Sequence, residues 1–197
     1  IAGGKLTTYR VMAADAVDFA LGEQAKQSPS VTANIGLVGA DGYHAIAANR
    51  ARYAERYGWD EDRITHLLER YGAQIEDLGA LIDADPSLGA SLAKAPQFLR
   101  ADVVFAVRYE GALHLEDVLV RRVRLDLEQR DRGLAAADEI LEILRSELGW
   151  DDQKVKEERD LYAARVQAIR EAESTSTDAE ASAKIEAVPA VDPRIKL

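Results

Sequence analysis

An all-α fold is predicted by three observations. Ala, Leu, Glu and Arg dominate the periodic stretches, aromatic residues make up only 6% of the chain, and apolar residues recur at helical rather than alternating spacing. A length of 197 residues suits one domain, or one domain with a tail, and is enough to bury a substantial core. The expected architecture is a multi-helix domain over 9–170. A short strand or loop segment over 1–8 leads into it, and a disordered acidic tail over 171–197 follows.

Each element has a local reason. The first helix, over 6 to about 26, follows Gly3-Gly4 and opens with Thr7 and Thr8, both good N-cap residues. Its apolar set is Val11, Met12, Ala16, Phe19 and Ala20, and Ser28-Pro29-Ser30 breaks it. Residues 31–43 contain Gly36, Gly39 and Gly42 and read as a loop. A second helix covers 45–57 and ends at Gly58. Asp60 caps a third, through Ile64, Leu67, Leu68 and Tyr71, which ends at Gly72. A fourth covers 74–81, Asp83 to Pro86 marks a turn, and 88–95 is a short helix or loop.

The most apolar stretch, 98–109, is expected as a buried helix because its neighbours are helical, although Asp102 to Val107 alone is rich in β-formers. Leu115-Glu116-Asp117 gives an acidic first turn to a helix with Val118, Leu119 and Val123 facing inward. An amphipathic helix over 133–148 uses Ile140, Leu141 and Leu144 and closes at Gly149. Asp151 starts the last, through Val155, Leu161, Tyr162, Val166 and Ile169. From Glu171 onward, Ser, Thr, Ala, Glu and Pro replace the large apolar residues, which predicts a disordered or loosely attached tail.

Composition excludes several functions. Lys and Arg number 25 against 35 Asp and Glu, a net charge of −10, which disfavours nucleic acid as the main partner. Zero cysteines remove disulfides, thiolate zinc sites, iron–sulfur clusters and a cysteine nucleophile. No run of about 18 apolar residues exists to span a membrane. With no basic-then-apolar leader, a cytoplasmic location is expected. His44, His66 and His114 lack paired-ligand spacing, so no metal site is expected. Asp83, Asp85 and Ser87 mimic alternate calcium ligands, but Leu88 stands where such a loop needs Gly. The cations of 99–132 are all arginines. Arg121, Arg122, Arg124, Arg130 and Arg132 are expected mainly in ion pairs with Glu116, Asp117, Asp126, Glu128 and Asp131, with Arg121 and Arg124 on one helical face and Arg122 elsewhere.

One segment offers chemistry. Gly3-Gly4-Lys5-Leu6-Thr7-Thr8 opens an amphipathic helix, whose leading N–H groups and positive dipole end suit an anion or a polarised carbonyl, with Lys5 as a mobile cation beside them. A plain turn with capping threonines accounts for the same residues on physics alone. The string Gly3 to Arg10, however, closely resembles the signature of FAD-dependent glycerol-3-phosphate dehydrogenases. Ala106 to Glu110, followed by Leu115 to Leu119 and Arg121 to Leu125, is similar to that family's arginine-rich helix pair. Glu147-Leu148-Gly149-Trp150-Asp151 resembles its next helix boundary. Leu37 to Asp41 is similar to a family loop that commonly has Pro where Val38 stands, and His114 occupies a position where Thr is usual. The matches run in order over about residues 1–165.

The resemblance implies the helical carboxy-terminal domain of such an enzyme, with the last edge of its flavin domain attached. The start at Ile1, not Met, reads as a piece of a longer protein. The parent would oxidise sn-glycerol 3-phosphate to dihydroxyacetone phosphate and pass electrons from FAD to a quinone, associating peripherally with the membrane. Gly4, Lys5, Leu6 and Thr7 would lie at the isoalloxazine ring, where a helix N-terminus and a lysine stabilise charge on the reduced flavin. The implied partner is the amino-terminal FAD and substrate domain of the same protein, and the resemblance leaves room for a homodimeric parent. No Gly-x-Gly-x-x-Gly follows a strand here, and no residue of this segment is expected to be catalytic, so the segment alone is expected to be inactive. Two alternatives stay open: an autonomous helical interaction module, and a flavoenzyme domain acting on another small hydroxy acid or amine.

Overall fold

A computed structural model describes residues 5–189. A single 3₁₀ turn, Leu6–Thr8, leads into helix α1, Tyr9–Leu21, and two more 3₁₀ turns, Gly22–Gln27 and Thr32–Asn34, follow it. None of these elements contains a buried residue, and Phe19 is 92% exposed. The apolar set expected along the first helix therefore packs into no core of this chain. Arg10 donates to the Thr32 carbonyl and ties α1 to the turn beside it.

The helix expected over 45–57 is two helices, α2, Tyr43–Ala48, and α3, Arg50–Tyr57. Asn49 separates them: its side-chain amide donates to the Ala45 carbonyl at 2.8 Å, competing for a group the helix would otherwise use. Gly58 then ends α3 in the left-handed conformation. Asp60 caps α4, Glu61–Tyr71, accepting from the Arg63 amide at 2.8 Å, and α4 buries Ile64, Leu67, Leu68 and Tyr71 on one face. Helix α5, Ile75–Ala84, returns antiparallel in sequence after a 3₁₀ turn and buries Ile75, Leu78, Leu81 and Ile82. Gly39 docks the preceding loop on the end of α4. Its φ is +82°, a Cβ there would lie 2.5 Å from the Tyr71 carbonyl, and its own carbonyl accepts from Ala73 at 2.8 Å.

Residues 88–99 depart from expectation. After a 3₁₀ turn, Pro86–Gly89, strands β1, Ser91–Leu92, and β2, Ala95–Leu99, form an antiparallel hairpin with an irregular register. The helix expected from residue 98 starts two residues later, as α6, Arg100–Arg108, because Phe98 and Leu99 belong to β2. The hairpin has a nonlocal support. The Arg63 guanidinium donates to the carbonyls of Pro96 at 2.5 Å and Gln97 at 3.0 Å and to Ser91 Oγ at 2.9 Å. Helix α6 is the centre of the fold: Ala101 to Ala106 are all buried, and it packs against α5 and α8.

Beyond α6 the chain forms a π-helical segment, Asp117–Arg122, and a short helix α7, Leu125–Glu128. A 3₁₀ turn, Leu134–Ala136, enters α8, Ala137–Leu148, which buries Ile140, Leu141 and Leu144 as its spacing predicts and ends at left-handed Gly149. Asp151 caps α9, Asp152–Glu173, through the Lys154 amide at 2.7 Å. The tail expected to be disordered from residue 171 is not so throughout. Thr177 caps a tenth helix, α10, Asp178–Glu186, which folds back along α9 and pairs Lys184 with Glu171 at 3.3 Å. The rest of the expected tail, 190–197, lies outside the described residues, as do residues 1–4 of the expected entry segment. Among the described residues no helix is long and apolar enough to cross a membrane.

The start of α6 rests on a buried carboxylate. Asp102 is completely buried, accepts from the Leu99 amide at 2.5 Å and from the Tyr71 hydroxyl, and stands 3.9 Å from Arg70 Nε. Asp102→Ala leaves two buried donors without an acceptor and is expected to cost about 3 kcal/mol in denaturant unfolding. Gly39→Ala is expected to cost about 1–3 kcal/mol by the same measurement, through its positive φ and its contact with Tyr71.

Candidate functional site

Two surfaces carry unpaired chemical potential. The first is the entry to α1. Gly4 lies outside the described residues; Lys5, Leu6 and Thr7 are exposed, Leu6 at 89%. Lys5 has extended backbone, and neither it nor Thr8 supplies a side-chain cap to the turn or helix that follows. Thr8 Oγ1 instead donates to the Lys5 carbonyl at 3.2 Å. The Thr8 and Tyr9 amides are taken by the carbonyls of Lys5 and Leu6, so the amides at the entry without a side-chain acceptor among the described residues are those of Leu6 and Thr7, beside a lysine with no ion pair there.

The second is a cleft of about 500 Å³ between the end of α4, β2 and the π-helical segment. Arg70, Arg121, Arg122 and Arg124 line it with His66, and Glu69, Glu110 and Glu128 are the acids beside them. Arg121 is neutralised locally by Glu116 at 2.6 Å and Asp117 at 3.1 Å. Arg122 donates to a backbone carbonyl, that of Glu110, at 2.6 Å. Arg124 sits at φ +59°, a conformation uncommon for a residue with a Cβ. Of the arginines singled out by sequence, Arg121, Arg122 and Arg124 meet in this cleft. Arg132 instead pairs with Glu173 at 2.5 Å, and Arg130 offers only its carbonyl to Arg170, at 3.4 Å. The expectation that Arg122 points away from Arg121 and Arg124 fails because the segment is π-helical and Arg124 is left-handed, so α-helical spacing does not apply. His66, Arg70 and Glu110 come from other elements and carried no local signal.

Two buried carboxylates anchor backbone that leads to the cleft. Behind the cleft, burial pushes the Asp102 carboxyl above the usual aspartate range against the pull of the Tyr71 hydroxyl, the Leu99 amide and Arg70, and burial also raises Tyr71. On the other side, Glu158 of α9 accepts from the Leu115 amide at 3.0 Å and from Lys154 at 2.7 Å, and meets His114 Nδ1 at 2.8 Å. Burial alone would raise this carboxyl, but Lys154, His114 and the Leu115 amide outweigh it and hold it below its ordinary value of 4.5. The loop so anchored leads directly into the arginine segment, where Asp117 accepts from the amides of Leu113 and His114.

Residues 30–155 match the family described as the C-terminal domain of alpha-glycerophosphate oxidase. The chain is 46% identical over 169 residues to a glycerol-3-phosphate dehydrogenase of Mycobacterium leprae, covering 85% of this chain and 29% of that protein. It is 44% identical, with the same coverage, to glycerol-3-phosphate dehydrogenase 2 of Mycobacterium tuberculosis H37Rv. Against the mitochondrial glycerol-3-phosphate dehydrogenase SDP6 of Arabidopsis thaliana it is 34% identical over 172 residues, 80% of this chain and 27% of that one. The chain thus spans under a third of the length of these relatives. No solved structure matches it.

Because Glu158 titrates lower in the folded chain than in the unfolded one, its contribution is present above pH 4.5 and is lost as pH falls through the lowered value. Glu158→Gln is expected to reduce unfolding free energy by about 1–3 kcal/mol near neutrality. That difference should shrink steadily below pH 4.5 when urea unfolding is followed against pH.

Proposed function

The chain belongs to the family of the C-terminal domain of alpha-glycerophosphate oxidase, and from that premise we propose that it is the helical C-terminal domain of an FAD-dependent glycerol-3-phosphate dehydrogenase. The parent oxidises sn-glycerol 3-phosphate to dihydroxyacetone phosphate. A bound FAD would supply the hydride acceptor and the electron route to a quinone, with Lys5, Leu6 and Thr7 lying against it. A membrane quinone places the parent at a membrane surface, held by contacts of the assembled enzyme.

The observation that carries this reading is the state of α1. The body from α2 to α9 is packed around buried side chains, whereas α1 presents Val11, Val17 and Phe19 to solvent and buries nothing. A 13-residue helix without buried residues gains little from its own sequence and needs an apolar surface to pack on. In the proposed parent that surface is the amino-terminal flavin and substrate domain. The entry to α1 suits a flavin ring: the Leu6 and Thr7 amides would meet a carbonyl oxygen and Lys5 would add positive charge. The role of this chain is then to cover the catalytic body and to place Lys5, Leu6 and Thr7 against the cofactor. It supplies no residue that abstracts the substrate proton, and alone it is not catalytic.

The full-length parent is expected to purify with flavin and to reduce an artificial dye in response to glycerol 3-phosphate, while this chain by itself does neither. Lys5→Ala in the parent is expected to lower kcat by about 10²-fold with flavin content largely retained. A folded, flavin-loaded parent without glycerol-3-phosphate-dependent dye reduction would overturn the substrate. A parent that folds without flavin would favour an interaction module instead.

A further inference from the structure

The cleft beside α4 is lined by three arginines, Arg70, Arg122 and Arg124, that find no carboxylate within hydrogen-bond distance among the described residues. Nε of Arg70, Nε of Arg122 and Nε2 of His66 are buried with no hydrogen-bond partner among the described residues, and the three side chains line the same cavity. Guanidinium groups left without an acceptor are costly, and several beside one space call for an anion there. We propose that this cleft binds a phosphate group, as inorganic phosphate or as the phosphate of a small monoester.

The charges select this chemistry. Arg121 is balanced by Glu116 and Asp117, but Arg122 has only a backbone carbonyl and Arg124 has no side-chain partner among the described residues. Arg70 reaches its nearest carboxylates, Asp102 and Glu110, only at 3.9 and 4.0 Å, beyond hydrogen-bond length. A guanidinium fork fits the oxygens of a phosphate, and a tetrahedral anion presents acceptors to α4 and to the π-helical segment at once. The left-handed Arg124 carries its guanidinium to the rim, a backbone state retained where a site constrains it. Glu69, Glu110 and Glu128 on the same walls repel an extended polyanion and limit the ligand to a compact one. Glu110, on the same wall, offers a carboxylate that can accept from a P–OH group. The volume of about 500 Å³ leaves room for a small organic group on the phosphate. The proposal rests on the cleft alone and is independent of the activity of the parent.

The test is titration of the chain with inorganic phosphate at pH 7, by calorimetry and by the arginine Nε–H signals in nitrogen-15 spectra. Saturable binding below about 10 mM is expected, with shifts confined to a few Nε–H signals. Sulfate, which has no proton to give Glu110, should bind more weakly. Arg124→Ala, an exposed change that does not threaten folding, and Arg122→Lys, which keeps the charge but loses the fork, should each weaken phosphate about tenfold. Arg130→Ala, with the same loss of charge outside the cleft, should change it less than about twofold. Vesicles of phosphatidylcholine with and without phosphatidic acid separate the sources. Binding to phosphatidic acid that phosphate competes away assigns a lipid headgroup, and phosphate binding without vesicle binding assigns a soluble ligand. No saturation by about 10 mM phosphate, or equal weakening by Arg130→Ala, would overturn the proposal.

Discussion

The carboxylate of Asp102 is the constraint on which the described body turns. It accepts from the Leu99 amide where β2 becomes α6, and so fixes the direction of the most buried helix of the chain. It also accepts from Tyr71 at the end of α4, joining two helices across the core. Arg70, just before Tyr71, stands 3.9 Å from the same carboxylate and lines the arginine cleft. One buried acid thus orients the centre of the fold and stands beside Arg70 of the arginine cleft. A charge in that position is tolerated only because its neighbours are donors.

Glu158 does from α9 what Asp102 does from α6. By holding the Leu115 amide and His114, it fixes the loop from which the π-helical segment departs. The arginines of that segment are then presented by backbone that is neither α-helical nor extended. Rigid supports on both sides of a cleft are what a small anion requires, because its binding gains most when the donors do not have to be ordered first.

The amino-terminal helix obeys a different logic. Its apolar residues have helical spacing, yet the described chain provides no surface to cover them. A helix of this kind is half of an interface. Its exposure is what the proposed docking of α1 on another domain would use, and the chain spans under a third of the length of its relatives.

Much of the fold was legible because its signals are local. Asp60 and Asp151 cap α4 and α9, Gly58 and Gly149 end α3 and α8, and the buried faces of α4 and α8 follow their apolar spacing. The family signature was legible too, since it is a contiguous string at the start of α1. Other features depend on residues distant in sequence. The hairpin rests on Arg63, some thirty positions earlier, and α10 rests on the face that α9 offers it. The cleft gathers His66 and Arg70 from α4, Glu110 after α6 and three arginines from an irregular segment. The sequence by itself determined the helices, their caps and the family, because turn chemistry and periodicity act over a few residues. Only the tertiary structure decided which arginines share a cavity and which donors stay unpaired, because hydrogen-bond satisfaction in a buried site depends on every element that meets there.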